Sequence, residues 1–186
     1  MKERKYINDW VNEVRLDEKT GRDRRVPVYT GIWYKTDAKS GSLAVSRGTC
    51  LIPFAVCFVL TILFFIADDA ATRSLPVFLP AAAALFPMFY WALGVWSLLR
   101  LKERFTRVQR EKSYGRIMHS SMGCMICLGI AFVGNISRIL ANGPVPGDIT
   151  GSAALLCAAA AAFLAFRHQR IMEGHIKEYK ETGDGL

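Results

Sequence analysis

Neither a glycine-rich phosphate loop nor a His-Glu-x-x-His pair occurs in this chain. The first absence excludes a P-loop nucleotide site and the second a zincin-type hydrolase. No other catalytic constellation stands out, so an enzyme is not expected. No Asp, Glu, Lys or His falls in the middle of any long apolar run. Transporters and proton pumps place ionisable groups there, because a charge in a bilayer is costly unless it serves something. Its absence argues against a proton-coupled exporter of the small four-span kind. The first 48 residues hold no apolar h-region, so the first apolar stretch reads as a signal anchor rather than a cleaved peptide. No lipidation pattern stands at Met-Lys-Glu or at Gly-Asp-Gly-Leu.

What the chain does have is segregation. It is 52% hydrophobic and 22% charged, with a mean hydropathy of +0.20. Those values coexist because charge and apolarity occupy different stretches. The net charge is +8, and it is concentrated in the first 49 residues and in the run Arg100 to Ser120, which has seven Lys/Arg against two Glu. Lys and Arg close to a spanning helix are retained in the cytoplasm. The basic run therefore predicts the topology of the rest. The charges flank apolar segments and form no separate basic domain, so no nucleic-acid partner is expected. They also favour anionic headgroups.

Four spans are predicted, over about residues 49–67, 76–99, 121–140 and 149–166. The first is uncharged for nineteen residues, about 28 Å of helix and so one hydrocarbon core. Pro53 is expected in its first turn, after a polar linker over 38–48. In the second, Pro87 lacks the N–H for an i→i−4 bond and predicts a kink near Ala83–Pro87. Trp96 fits an interfacial belt. That helix is expected to run past Arg100, with Leu101, Phe105 and Val108 on one side, possible ion pairs Glu103–Arg107 and Arg107–Glu111, and a break at Gly115. In the third, Gly123, Cys127, Ala131 and Asn135 recur every four residues, a small-residue seam for close helix approach. The fourth is rich in alanine and is expected to face protein more than lipid, continuing as helix to about Thr182. The fold class is thus an all-α integral membrane protein with four transmembrane helices and both termini cytoplasmic, in a plasma membrane of bacterial type. Its parts are a cytoplasmic segment 1–48, a transmembrane domain 49–166 with the loop 100–120, and a cytoplasmic helix and tail 167–186.

The N-terminal segment has two readings. Tyr6, Ile7, Trp10, Val11 and Val14 make the stripe of a short amphipathic helix. Alternatively, Val11–Leu16 and Val26–Trp33 form a hairpin across a glycine turn, with Pro27 at an edge or bulge. The segment is too small to bury a sizeable core. Trp10, Tyr29, Trp33 and Tyr34 suit a membrane or protein interface.

Three further groups are candidate sites. Asn135 and Arg138, with Ser137, are candidate transport residues; the plainer reading has Arg138 reaching the interface to meet Asp68 or Asp69. Cys124-Met-Ile-Cys127 resembles the C-x-x-C pairs of four-span thiol oxidoreductases, which imply electron transfer to quinone at the external face. Here the pair is expected at the cytoplasmic end, where thiols stay reduced. Cys50, Cys124, Cys127, His119 and His168 all fall near that interface and are of metal-ligand type, although packing and surface roles explain them as well. Cys57 and Cys157 are mid-span and structural. No cofactor is predicted. The leading expectation is a non-catalytic membrane subunit or scaffold, docking a protein partner or a copy of itself. A small oligomeric transporter or channel is the alternative, and a redox or metal protein the third.

Overall fold

The computed structural model describes residues 9–16, 23–36, 43–67, 70–102, 104–174 and 176–179. The chain is mostly helical, and four helices are long and apolar enough to cross a membrane. They are α1 (Leu43–Ile66), the pair α2 (Leu75–Ala83) and α3 (Leu85–Leu99), the rod ending in α5 (Arg116–Asn142), and α6 (Asp148–Gly174). That rod begins as a short α4 (Arg107–Arg110) and passes through a π-helical turn, Glu111–Gly115, into α5. The described residues also form five short strands: β1 (Trp10–Leu16), β2 (Asp23–Tyr29), β3 (Trp33–Thr36), β4 (Arg104–Thr106) and β5 (Ile176–Tyr179).

In the bundle α6 lies against α1 and α5, and α5 also carries α2 and α3. Trp91, Met88, Leu98, Ile117, Leu128 and Leu155 fill the core. From α6 the contribution is chiefly Ala158, Ala161, Ala162 and Ala165. Alanine is the best helix former, and its small side chain lets neighbouring backbones approach. α6 is accordingly the most buried of the four long apolar helices.

Three glycines set the spacing of α5 against α2 and α3. A Cβ on Gly94 would lie 2.8 Å from Ile117 Cγ1, one on Gly123 would lie 3.1 Å from Pro87, and one on Gly134 would lie 2.9 Å from the Pro76 carbonyl oxygen. The helical break falls at Ala84, inside the interval expected from Pro87. The chain stays right-handed there (φ −62°, ψ −23°), so the rod bends rather than reverses.

Several local expectations are corrected. α1 begins at Leu43, so residues 43–48 are helix rather than linker and Pro53 sits well inside it. Trp10–Leu16 is strand, not amphipathic helix: β1 pairs antiparallel with β2, Trp10 opposite Tyr29 and Leu16 opposite Asp23. Tyr6 and Ile7 lie outside the described residues. α3 stops at Leu99 instead of running on. Thr106 then starts a new helix, its Oγ1 accepting from Gln109 N–H while Gln109 Oε1 accepts from Thr106 N–H, a reciprocal cap. The helix runs through Gly115 without a break. α6 ends at Gly174, well short of Thr182, and β5 follows.

β5 and β4 flank β3 in one antiparallel sheet. Tyr34 stands opposite Phe105 on one side and Glu178 on the other. Besides the β1–β2 hairpin, a mostly helical chain thus carries a small sheet at one end of its bundle. It unites the N-terminal segment, the basic run and the C-terminal segment.

Candidate functional site

The sheet end of the bundle gathers most of the singled-out aromatic residues. Tyr34 is 5% exposed and stacks on Phe105, with ring centroids 6.3 Å apart. Phe105 is fully buried and meets Tyr114 at 6.1 Å. Arg110 lies over the Tyr34 ring at 5.0 Å and pairs with Glu173 at 3.1 Å. Sheet, π turn and α6 are thereby joined, and Tyr34 is spent on that joint rather than offered to a partner.

The hairpin β1–β2 hangs from the same place through Tyr29. Its ring packs edge-on against Trp10 at 5.2 Å and Trp33 at 5.1 Å. Its hydroxyl donates to the Ile32 carbonyl at 3.1 Å and accepts from Arg107 N–H at 3.4 Å. Partial burial, and secondarily the Asp9 carboxylate, raise the Tyr29 pKa above the ordinary tyrosine value. Gly31 is required beside it, because a Cβ there would fall 2.7 Å from the phenol ring. Beyond Tyr29 the hairpin is open: Trp10, Val11 and Val14 are 45%, 50% and 61% exposed. Among the described residues β1 and β2 pair only with each other.

At the opposite end, the turn between α5 and α6 holds a second polar cluster. Arg138 pairs with Asp148 through Nη2 and Oδ1. Asn135 Oδ1 accepts from Arg138 Nε and Nη2 at 3.2 and 3.1 Å, and its amide nitrogen donates to Ser152 Oγ at 2.9 Å. Val145 N–H donates to the other Asp148 oxygen at 2.8 Å. Asp148 and Asn135 are fully buried. Asp148 also sits in the first turn of α6, where a negative charge suits the helix dipole. The expected partners Asp68 and Asp69 lie outside the described residues, and Arg138 is paired with Asp148. Asp148 and Ser152 escaped sequence reasoning. An acid opening the helix just across a short turn from Arg138 was the available signal.

The seam Gly123, Cys127, Ala131 and Asn135 does not serve one neighbour. Gly123 faces Pro87 of α3, while Asn135 reaches Ser152 of α6. Ala131 is buried and Cys127 half-buried.

Three of the five metal-type residues each have a separate neighbour. Cys50 is buried beside the Gln169 amide nitrogen, and Cys124 Sγ lies 3.7 Å from the Ala84 carbonyl. His119 is exposed, with Nδ1 2.6 Å from the Gly115 carbonyl oxygen. His168 is half-buried. Among the described residues no three His, Cys, Asp or Glu side chains form a group able to hold a metal ion. Of the two expected ion pairs, Arg107–Glu111 is present at 3.9 Å on an exposed surface; Glu103 lies outside the described residues.

Comparison with protein-family models, curated proteins and solved structures finds no match.

Proposed function

We propose that this chain is a non-catalytic four-span membrane subunit that docks a partner protein through the hairpin at its cytoplasmic end. The observation that carries the reading is the contrast within one small element. Tyr29 fastens the hairpin firmly, yet Trp10, Val11 and Val14 remain exposed and, among the described residues, both strand edges unpaired. An anchored strand pair with free edges and exposed aromatic and aliphatic side chains is the geometry of strand addition by a partner.

The membrane part of the reading rests on the bundle's outer surface. Phe86, Leu140 and Ile149 are each at least 80% exposed, and large apolar side chains cover the outward faces of all four spans. Apolar surface so extensive supports a lipid surrounding. The sheet draws together the three basic or mixed segments, which supports an even number of crossings. The positive-inside preference then puts both termini in the cytoplasm of a bacterial-type plasma membrane. The transporter reading is weakened because the Arg138 guanidinium already holds Asp148 and Asn135.

Mild-detergent purification from the native membrane, with mass spectrometry of co-eluting chains, tests the proposal. A stoichiometric partner lost in Trp10→Ala and in Val14→Asp is expected. Specific solute flux or turnover by the chain alone in liposomes would overturn it.

A further inference from the structure

The two edges of the hairpin are not equivalent. Thr30 N–H donates to the Asp9 carbonyl at 2.9 Å, which makes Asp9–Thr30 a hydrogen-bonded pair at the head of the β1–β2 register. Bonded and non-bonded pairs alternate along an antiparallel ladder. Trp10–Tyr29, Asn12–Pro27 and Val14–Arg25 are therefore non-bonded pairs, and their backbone groups turn to the outer edges. On β2 the middle outward position is Pro27, which has no N–H to offer, and a proline there blunts an edge. On β1 the outward positions are Trp10, Asn12 and Val14, each exposed and each with its N–H and carbonyl intact. Among the described residues no strand pairs with that edge. Strand addition to the hairpin thus has one suitable site, the outer edge of β1.

The residues along that edge are complementary to themselves. The two-fold axis of a second, antiparallel β1 can fall near the middle of the strand at Asn12, Glu13 or Val14. An axis at Glu13 sets two residues of like charge directly opposite, which is unfavourable. An axis at Val14 sets Trp10 beyond the end of the other strand, which closes at Leu16. An axis at Asn12 sets Trp10 opposite Val14 of the second copy, and Val14 opposite its Trp10. The same register places Asp9 opposite Arg15 at both ends, so unlike charges meet. Exposed Trp10 and Val14 then cover each other in both copies.

We propose that β1 pairs antiparallel with β1 of a second copy of this chain across a two-fold axis at Asn12, joining two hairpins into one sheet of order β2–β1–β1–β2. This rests on the docking reading above and names its partner as a second copy. The joined sheet presents a Pro27 edge on either side, so addition stops at two copies. The contact is the same patch on both chains, as a closed dimer requires.

Cysteine cross-linking of the full chain in mild detergent and in proteoliposomes tests the register. Every variant carries Cys157→Ser, which removes the exposed native thiol. In Asn12→Cys the two Cα atoms would lie about 5.5 Å apart across the axis, within disulfide reach. Oxidation with copper phenanthroline should therefore give a covalent dimer. Val14→Cys alone should not cross-link, because its two copies would lie about 14 Å apart along the strands. A mixture of Trp10→Cys and Val14→Cys chains should. Val14→Pro removes an outward N–H and no bond of the hairpin. It should weaken the dimer about tenfold, while the Val11 and Glu13 amides stay protected from exchange. Should that protection be lost, the cysteine pairs decide alone. A monomeric wild type by light scattering overturns the proposal, as does cross-linking of Val14→Cys in place of Asn12→Cys. So does a dimer that Val14→Pro leaves unchanged with the hairpin intact. A monomer that holds a different protein on β1, released by Val14→Pro, overturns self-pairing and keeps the docking reading. A hairpin that holds neither a copy nor another protein overturns both.

Discussion

Arg138 and Asp148, ten positions apart, close the α5–α6 turn through an ion pair whose carboxylate is wholly buried and whose guanidinium side chain is 12% exposed. The asymmetry matters. Arg138→Gln strands a buried charge, and breaking such a pair costs about 3–5 kcal/mol. Asp148→Asn leaves the cation a short path to water and should cost less. Thermal unfolding of both variants in mild detergent checks the order. Equal losses would mean that the pair does not hold the turn.

The α2–α5 contact is decided by one glycine. Gly134→Ala drives a methyl against the Pro76 carbonyl, which is backbone and cannot swing aside. Overpacking of this kind costs about 1–3 kcal/mol. Gly129 on the same helix has nothing within 4 Å of its missing Cβ. Gly129→Ala should therefore be neutral, or stabilise by up to about 1 kcal/mol through helix propensity. Unfolding midpoints of the two variants should move in opposite directions, or only the first should fall.

The joint between sheet and bundle turns on Phe105, which is fully buried between Tyr34 and Tyr114. Phe105→Ala should cost about 3–5 kcal/mol. Amide exchange should speed up in β3, β4 and β5, while the turn end of α5 and α6 keeps its protection.

The hairpin should come away by itself. Tyr29→Phe removes a hydroxyl that bridges Ile32 and Arg107. A bond of this sort contributes about 1 kcal/mol. Faster exchange confined to β1 and β2 is the expected result.

The same residue predicts a pH dependence. Burial raises the Tyr29 pKa, so the folded hairpin favours the protonated phenol. Its contribution is complete below the ordinary tyrosine value of about 10. It is lost as the pH rises through the higher folded value. Ultraviolet titration of tyrosinate should show a late-ionising phase whose amplitude falls in Tyr29→Phe.

Hydrophobic run length and proline placement are local properties, and they determined much of this molecule. The four long apolar helices could be read from uncharged runs because a bilayer-length helix satisfies its own backbone groups wherever its neighbours lie. The break at Ala84 could be read from Pro87, whose missing N–H is a feature of that residue alone. The alanines of α6 announced a helix that packs against protein. Residues 10–16 were different: apolar positions spaced for one helical face also read as a strand, and pairing with β2 decided between them. Only the tertiary structure chose Asp148 for Arg138, because that choice depends on how α5 and α6 face each other. It alone assembled β3, β4 and β5. Strands of three or four residues from three distant segments have no local stability, and they form here where Tyr34 pairs opposite Phe105 and Ile176 packs against the buried cluster.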